Sequence, residues 1–438
     1  MPNLPRRTFL KQLGGLSAGA VVLPVTTASL LNAAPVVKSP NERWRIGAIG
    51  MRYQGSVITR EATAMGDVYA ICDVDRHVRE QARASFNSAA ALCEDYRDLI
   101  ARDDIDVVLI GAPDHWHAKM TIDACRAGKD VYVEKPLTLT VDEGRVIREV
   151  VAETGRVVQV GTWQRHDHRF RRAAEMIKAG RLGTIRKVTV VLGKNLTGGP
   201  FPTTPVPANL NWDRWQGQAP ATEYIPERCH YNFRYWFDYA GGEMTDTGAH
   251  HLDIALWALG LDRTGPVEIA ASGSLPDRRA CYTVPRDFSA RLKFAQGVEV
   301  EIRDEGRSGI LFEGDLGRIF VNRGSLTGTP VDDLKNRPLP REAFQLYVHD
   351  NLSRPERAGK IEAISSHMGN FYDCTQSRQT PISDVDSQHR VASACHLANL
   401  AIRLGRTLNW NPETERFIND PAADKLLRRE QRPGYEVV

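Results

Sequence analysis

The stretch RIGAIGMRYQGSVITREATA, residues 45–64, determines the fold class that we expect. Its first five residues are an apolar run that predicts a buried strand, and residues 56–64 predict a helix. In the turn between them, Gly50 and Gly55 match the first and third glycines of the pattern G-x-G-x-x-G. There the first glycine makes a tight turn, the second lets the backbone approach a pyrophosphate, and the third packs helix on strand. Arg52 stands at the second position, where it either brings a cation near the pyrophosphate or is an exposed loop residue.

Strands and helices continue to alternate after this stretch. Short apolar runs predict strands over residues 68–72, 106–110, 131–133 and 157–160, with helices over 76–84 and 119–127. Strands separated by helical segments of this length are typical of βαβ units. We therefore predict a parallel, doubly wound sheet in a domain over residues 43–160.

Beyond residue 160 the pattern changes toward strands and hairpins. Strands are predicted over residues 185–192, 267–273, 288–294, 298–303, 310–313 and 318–321, an ordered loop over 198–226 and a helix over 391–404. The chain is thus expected to be an α/β protein. Its second domain, over residues 161–410, is an α+β unit with a large, mainly antiparallel open sheet, and a polar tail follows over 411–438.

Asp73 directly follows the second predicted strand. A carboxylate at this place in a dinucleotide-binding domain suits the ribose 2′-hydroxyl of NAD and repels the 2′-phosphate of NADP. The sequence therefore predicts NAD as the cofactor, in preference to NADP.

A second motif is Glu134-Lys135-Pro136, at the carboxyl end of the strand over 131–133. Ligands of doubly wound sheets bind at this edge, and a proline restricts the backbone of the residue before it. We expect the side chain of Lys135 to be held over the cleft. The alternative is a surface lysine that ends a strand.

The third motif is GGEMTDTGAHHLD, residues 241–253. If a helix runs from about Thr245 to Leu259, Asp246 and His250 are four residues apart and share a face. A carboxylate can then orient the imidazole and raise its basicity, which predicts a general base. In the alternative interpretation, Asp246 caps the helix and His250 is a buried structural histidine.

In combination, these motifs resemble the glucose-fructose oxidoreductase / inositol dehydrogenase (Gfo/Idh/MocA) family. The resemblance covers residues 44 to about 410 and includes the hexapeptide APDHWH at 112–117. It implies an N-terminal Rossmann domain, a C-terminal sheet that builds the substrate pocket and often the oligomer interface, and hydride exchange at a sugar or cyclitol carbinol. It also implies that Lys135, Asp246 and His250 are the catalytic residues.

Further contacts are predicted around these motifs. Cofactor contacts are expected from Gly50, Arg52, Gly55, Asp73, Pro113, His117, Glu134 and Lys135. Substrate contacts are expected from Arg165, Trp236, Tyr239 and His251, of which the first three could equally be structural. No metal is predicted, because the histidines match no zinc-ligand spacing and hydride transfer needs no metal.

The N-terminal sequence MPNLPRRTFLKQLGG resembles a twin-arginine export signal, because Arg6 and Arg7 precede an uncharged stretch over residues 12–37. We predict a signal over residues 1–34, cleavage after Ala34 and a periplasmic location. An uncleaved signal would tether the protein to the membrane, and no second candidate span is predicted in the mature chain. This route exports folded proteins, commonly with a cofactor already bound.

Composition excludes several other classes of protein. With 42% hydrophobic and 25% charged residues, the chain has a globular composition and not that of a disordered protein. Outside the predicted signal it has 54 basic and 54 acidic residues, so no nucleic-acid or membrane-surface partner is expected. The seven cysteines are scattered singly and predict no disulfide framework. We expect a carbohydrate or cyclitol substrate and, from the family resemblance, a homo-oligomer formed through the C-terminal sheet.

The function that we expect is NAD(P)-dependent oxidation of a carbinol in a sugar, cyclitol or derivative. His250 would be the base and Lys135 the cation that stabilises the developing oxyanion. Since no NAD pool exists outside the cytoplasm, the cofactor would stay bound and be recycled in place. One alternative is a redox-neutral NAD-dependent glycoside hydrolase or epimerase on the same fold. Another is a non-catalytic sugar-binding or structural protein.

Overall fold

Strand β1 (Trp44–Ile49) lies inside a six-stranded sheet of the computed structural model, which describes Ser39 and residues 42–276, 281–344 and 360–437. The other strands are β2 (Gly66–Cys72), β3 (Ala91–Cys93), β4 (Val107–Ile110), β5 (Asp130–Val133) and β6 (Val158–Val160). Their order is β3-β2-β1-β4-β5-β6 and every neighbouring pair is parallel. This is the doubly wound arrangement that the sequence predicts. The predicted export signal, residues 1–34, is outside the described residues.

Five helices connect these strands. They are α1 (Gln54–Ala62), α2 (Arg76–Phe86), α3 (Tyr96–Ile100), α4 (Asp114–Arg126) and α5 (Val141–Thr154). Helix α4 begins earlier than the predicted helix over 119–127, because Pro113 takes the N-cap position and its carbonyl accepts a hydrogen bond from the amide of Trp116. Helix α5, which the sequence analysis did not predict, begins with a capping box of Thr140 and Glu143.

A nine-stranded sheet forms the second half of the molecule. Its strands are β7 (Ile185–Val191), β8 (Glu268–Gly273), β9 (Phe288–Lys293), β10 (Glu299–Arg303), β11 (Gly309–Gly314), β12 (Gly317–Val321), β13 (Leu326–Thr327), β14 (Leu408–Asn411) and β15 (Arg416–Phe417). They are ordered β13-β12-β11-β7-β10-β9-β8-β14-β15. The pair β7–β10 is parallel and the other pairs are antiparallel. The mainly antiparallel sheet is thus confirmed.

Seven more helices complete the described fold. They are α6 (His168–Lys178), α7 (Trp212–Gln216), α8 (Gly248–Ala258), α9 (Thr329–Asp332), α10 (Lys360–Ser377), α11 (Val385–Leu404) and α12 (Pro421–Asp424). Helices α8 and α11 share the apolar core of the nine-stranded sheet. Helix α10 instead packs on α1, where Met368, Phe371 and Tyr372 join Ile46 and Ile58 in one buried cluster. The first sheet is therefore completed by a helix that lies far beyond the predicted boundary at residue 160.

The two faces of the nine-stranded sheet differ in chemistry. The inner face is apolar and buried, as the alternation along β9 and β10 requires. The outer face carries cross-strand ion pairs, with 3.0 Å between Lys187 Nζ and Glu301 Oε2 and 2.7 Å between Lys293 Nζ and Glu268 Oε1. The predicted oligomer contact through this sheet stays a prediction. No helix within the described part of the chain is both long and apolar enough to span a membrane.

The turn between β1 and α1 has room only for glycine at its two matching positions. Gly50 has a φ of +76°, and a Cβ added there would lie 2.5 Å from the amide nitrogen of Ala112. A Cβ added at Gly55 would lie 1.7 Å from the carbonyl oxygen of Gly50. The third-glycine role that the sequence predicts is confirmed by this close helix–strand contact.

We predict that Gly55→Ala lowers the free energy of unfolding by at least about 1–3 kcal/mol, because α1 must move away from β1. Urea unfolding of the purified protein measures this. Gly369→Ala is the matched control, since nothing lies within 4 Å of a Cβ added there and helix α10 accepts alanine. Equal stability of the two variants would contradict the proposed close contact.

Candidate active site

A cavity of about 500 Å³ lies at the carboxyl ends of the parallel strands. The residues that follow four of these strands line it, namely Gly50 after β1, Asp73 after β2, Ala112 after β4 and Glu134 after β5. Doubly wound sheets bind their ligands at this edge. Seven of the eight predicted cofactor contacts line this cavity. The eighth, Gly55, does not line it but packs against Gly50, which does.

Asp73 is fixed to the turn after β1. Its Oδ2 accepts a hydrogen bond of 2.8 Å from the amide of Met51, and its Oδ1 accepts one of 2.9 Å from the amide of Asp75. Burial raises the pKa of Asp73 to about 6, although these two hydrogen bonds favour the ionised form. The acid is thus held beside the glycine turn, as a dinucleotide ribose requires.

Four arginines around Asp73 form ion pairs with carboxylates. The nitrogen–oxygen distances are 2.6 Å for Arg52–Asp75, 3.4 Å for Arg79–Glu94, 2.6 Å for Arg97–Asp95 and 2.7 Å for Arg214–Asp95. Arg52 lines the cavity with its guanidinium bound to Asp75, so its predicted contact with a pyrophosphate stays a prediction. The predicted preference for NAD over NADP stays a prediction, which rests on the carboxylate of Asp73.

Lys135 and Asp246 form the central ion pair of the cavity. The ammonium of Lys135 binds Oδ1 of Asp246 and also donates to its backbone carbonyl at 3.2 Å, while Nε of Arg234 donates to Oδ2 at 2.9 Å. Burial disfavours the ionised carboxylate, but the charges of Lys135 and Arg234 outweigh it and hold the pKa of Asp246 well below its usual range. Asp246 is therefore ionised, with both oxygens occupied.

The predicted pairing of Asp246 with His250 is wrong. Helix α8 begins at Gly248 and not at Thr245, so Asp246 lies in the preceding turn and its carboxylate faces Lys135. His250 is buried and packs edge-to-face on Trp163 at 5.7 Å between ring centroids. Its Nδ1 has no hydrogen-bond partner among the described residues. Burial, followed by the charges of Lys135 and Arg323, lowers the pKa of His250 well below 6.5, so the imidazole is neutral.

His117 and Glu134 stabilise the floor of the cavity. The two ring nitrogens of His117 lie 2.6 Å from the carbonyl oxygen of Pro136 and 2.8 Å from that of Ala112, which ties the loops after β4 and β5 together. Burial lowers the pKa of His117 to about 4. Glu134 accepts hydrogen bonds from Nε2 of Gln54 at 3.2 Å and from the amide of Lys135 at 3.3 Å, and burial raises its pKa to about 7. Both residues thus position Lys135 and the cofactor turn.

The four predicted substrate contacts do not line this cavity, and the structure corrects their role. Arg165 is fully buried and binds Asp253 at 2.5 Å and Asp262 at 3.2 Å. Trp236 and Tyr239 are buried in an aromatic cluster of the 210–240 segment. His251 follows His250 on α8, where successive side chains diverge by about 100°, and lies buried 6.2 Å from the ring of Phe170.

Other residues line the cavity around Lys135 and His250. They are Trp163, Tyr231, Arg234, Glu243, Thr247, Arg323 and Lys360. The guanidinium of Arg323 lies 4.9 Å from the ring centre of Trp163 and bonds Oε1 of Gln164 at 3.2 Å. Trp163 is two residues from Arg165 and the sequence could have suggested it, whereas Tyr231 and Arg234 lie in a short 3₁₀ helix (His230–Tyr235) that carries no motif. No group of three or more metal-ligating side chains was found among the described residues.

Two family models match the chain. The oxidoreductase family's NAD-binding Rossmann fold matches residues 45–162, and its C-terminal alpha/beta domain matches residues 184–437. The chain belongs to the Gfo/Idh/MocA oxidoreductase family. Residues 45–162 are the family's NAD-binding domain, which agrees with the turn at Gly50 and the carboxylate of Asp73.

Similar proteins include sugar and cyclitol enzymes. An alpha-N-acetylgalactosaminidase of Shewanella oneidensis is 36% identical over 166 residues, which are 33% of this chain and 36% of that protein. A glycosyl hydrolase family 109 protein of Shewanella sp. (strain W3-18-1) is 35% identical over 164 residues, so the chain matches about a third of the length of these relatives. The scyllo-inositol 2-dehydrogenase (NAD(+)) of Bacillus subtilis is 27% identical over 318 residues, or 67% of this chain and 75% of that protein.

Solved structures share the fold. Levoglucosan dehydrogenase in complex with NADH and levoglucosan has a TM-score of 0.64 at 19% identity, covering 84% of this chain and 99% of that one. The aldose-aldose oxidoreductase of Caulobacter crescentus has a TM-score of 0.62 at 19% identity, covering 84% and 100%. These likenesses establish the architecture.

We predict that Asp73→Ser raises the affinity for NADP relative to NAD by about tenfold or more. The reason is that a carboxylate about 4 Å from a phosphate repels it by about 1–4 kcal/mol, depending on the effective dielectric. Competitive titration of the cofactor-free protein with the two nucleotides measures the ratio. The control is Asp67→Ser, because Asp67 lies on β2 but forms an exposed ion pair with Arg43. An unchanged ratio in Asp73→Ser would remove Asp73 from the ribose site.

Proposed function

We propose that this protein is an exported NAD-dependent oxidoreductase that removes hydride from a carbinol of a sugar or cyclitol and retains its cofactor between turnovers. The observation that carries the proposal is the cluster of Lys135, Asp246 and Arg234 beside neutral His250, in the same cavity as the glycine turn and Asp73. The family membership and the dehydrogenases among its relatives support it. The motif at residues 1–34 supports export.

The residues divide the chemical work between them. NAD supplies the hydride acceptor when it is bound. An ammonium has three N–H donors, and Asp246 takes two of those of Lys135, which leaves one for a substrate oxygen. Lys135 can therefore stabilise the oxygen as it loses its proton, and neutral His250 takes that proton. Ionised Asp246 holds Lys135 and Arg234 in place instead of orienting the histidine.

We predict that His250→Ala and Lys135→Ala each lower turnover about 10²- to 10⁴-fold while the cofactor stays bound. The measurement is single-turnover reduction of bound NAD by candidate sugars across pH. Because the pKa of His250 is lowered, protonation slows the wild type only at pH values below 6.5. That acidic limb should vanish in His250→Ala and remain in Lys135→Ala.

His77→Ala, at an exposed histidine on α2, is the control and should keep the wild-type rate and limb. If His250→Ala also keeps both, His250 is a buried structural residue and Lys135 becomes the first candidate for the base.

A redox-neutral glycoside hydrolase is the second candidate, because relatives named glycosyl hydrolase family 109 proteins are 35% identical over 164 residues and 36% identical over 166 residues. In such a cycle NAD, held at the turn of Gly50 and by Asp73, would supply a hydride acceptor that returns its hydride at the end. While the sugar carbon is oxidised, the neighbouring C–H would lose its proton as the aglycone leaves, and water would then take the place of the aglycone. The net reaction is hydrolysis.

We predict different product patterns for the two candidates. With a chromogenic N-acetylgalactosaminide in D₂O, a hydrolase releases aglycone and a deuterium-labelled sugar without net reduction of the cofactor. An oxidoreductase leaves up to one equivalent of NADH on the protein when no second substrate is present. Purified protein that neither contains nor binds NAD would contradict both candidates and favour the non-catalytic alternative.

A further inference from the structure

The end of the cavity beside Asp73 is closed by two segments from outside the parallel sheet. We call residues 209–218 and 428–437 together the cover. Leu210, Arg214 and Trp215 of the first segment and Tyr435 of the second line the cavity. The wall opposite the glycine turn is therefore built by chain that is remote from that turn in sequence.

The first segment is docked on the loops that follow β2 and β3. The amide of Asn211 donates to the carbonyl of Val74 at 3.0 Å, and the amide of Arg76 donates to the carbonyl of Asn209 at 2.8 Å. Asp75 and Leu210 form an antiparallel bridge. The first segment is thus joined through its backbone to residues 74–76, directly after Asp73.

Side chains strengthen this docking on both sides. Nδ2 of Asn209 donates to Asp75 at 2.8 Å, and Nδ2 of Asn211 donates to Glu94 at 2.7 Å. On the α4 side, Nε1 of Trp116 donates to the carbonyl oxygen of Trp215 at 3.0 Å. The segment is consequently held from three elements at once.

The second segment clamps onto the first. Arg432 donates from Nε to the carbonyl of Gly217 at 2.6 Å and from Nη1 to Oδ1 of Asp213 at 2.7 Å. The hydroxyl of Tyr435 donates to Oδ2 of Asp213 at 3.0 Å, and the guanidinium of Arg432 lies 4.9 Å from the Tyr435 ring centre. Asp213 therefore fixes both Arg432 and Tyr435.

Tyr435 completes an aromatic enclosure. Its ring packs edge-on against Trp116 at 5.7 Å, and Trp116 packs edge-on against Tyr96 at 5.6 Å. With Trp215, these rings line the same part of the cavity as Asp73. Flat apolar rings next to a ribose-binding acid form a site of the right chemistry for a purine base.

We propose that Tyr435, braced by Arg432 and Asp213, closes the adenosine end of the dinucleotide site and controls how fast NAD(H) leaves. This inference rests on the bound cofactor of the proposed function and explains how it is retained. Release would require 428–437 to detach. Arg432 and Tyr435 hold this segment on 209–218 through polar contacts, Arg429 donates to the carbonyl of Asp238 at 2.5 Å, and Tyr435 and Val437 pack at the edge of the apolar cluster of the parallel sheet. Detachment would break these contacts and leave the fully buried residues up to Leu427 in place.

The test loads the full-length protein with NADH and mixes it with an excess of an unrelated NADH-oxidising dehydrogenase and its substrate. The added dehydrogenase oxidises NADH as soon as it leaves the protein, so the rate of NADH oxidation gives the rate of release. No sugar substrate is needed. We expect Tyr435→Ala and Arg432→Ala to release NADH about tenfold faster or more. Tyr435→Phe, which keeps the ring and loses the bond to Asp213, should have a smaller effect. Tyr69→Ala, at an exposed tyrosine outside the cavity, should release NADH at the wild-type rate.

The outcomes separate this inference from the proposed function. Wild-type protein that binds no NADH overturns both. If the wild type binds NADH tightly, and Tyr435→Ala and Arg432→Ala release it at the wild-type rate, only the role of the cover is overturned. This holds whatever the result of the sugar assays. If either alanine variant lowers the midpoint of thermal unfolding of the cofactor-free protein, the release rates of Tyr435→Phe and Asp213→Asn are used instead, because both substitutions keep the side-chain volume. Unchanged release from these two variants then overturns the inference.

Discussion

The ion pair between Lys135 and Asp246 is the interaction on which the geometry of the cavity depends. It joins the loop after β5 to the turn before α8, and so connects the parallel sheet to the half of the molecule that carries the nine-stranded sheet. A carboxylate withdrawn from water is stable only if opposite charges and hydrogen bonds replace the lost hydration. Asp246 obtains them from Lys135 and Arg234. The need to compensate its charge therefore fixes the positions of these three side chains, which line the same cavity.

Desolvation sets the protonation states of the other titratable groups around this volume. Burial raises the pKa of Asp114 and of Glu134 to about 7 each, and lowers the pKa of His117 to about 4. Carboxyls with such values change charge near neutral pH, whereas the histidines stay uncharged there. The cavity therefore combines carboxylates whose pKa values are lowered, namely Asp75, Asp95 and Asp246, with carboxyls whose charge can respond to a bound ligand. A nicotinamide dinucleotide, with its own negative charges, would shift that response.

The sequence predicts the two sheets well and the site only in part, for physical reasons. An apolar run such as residues 107–110 predicts a buried strand from the hydrophobicity of its residues alone, so the strands can be located in the sequence. Helix α5 could have been found too, from the Thr140–Glu143 capping box. The partner of Asp246 could not, because the spacing to His250 predicts a contact only if both residues are helical. The true partners are Lys135, which is remote in sequence, and Arg234, which lies in a short 3₁₀ helix without a motif.

The segment over residues 210–240 contains short helices that are held together by an aromatic core of their own. The rings of Trp212 and Trp215 stack at 4.9 Å, and Trp215 packs edge-on against Tyr239 at 4.8 Å. The same segment places Arg234 at the ion pair and Trp215 on the wall of the cavity. Trp236 and Tyr239, which the sequence analysis predicts as substrate contacts, are buried in the same cluster as Trp215 and do not line the cavity. Their contribution to the site is therefore through packing against residues that do line it.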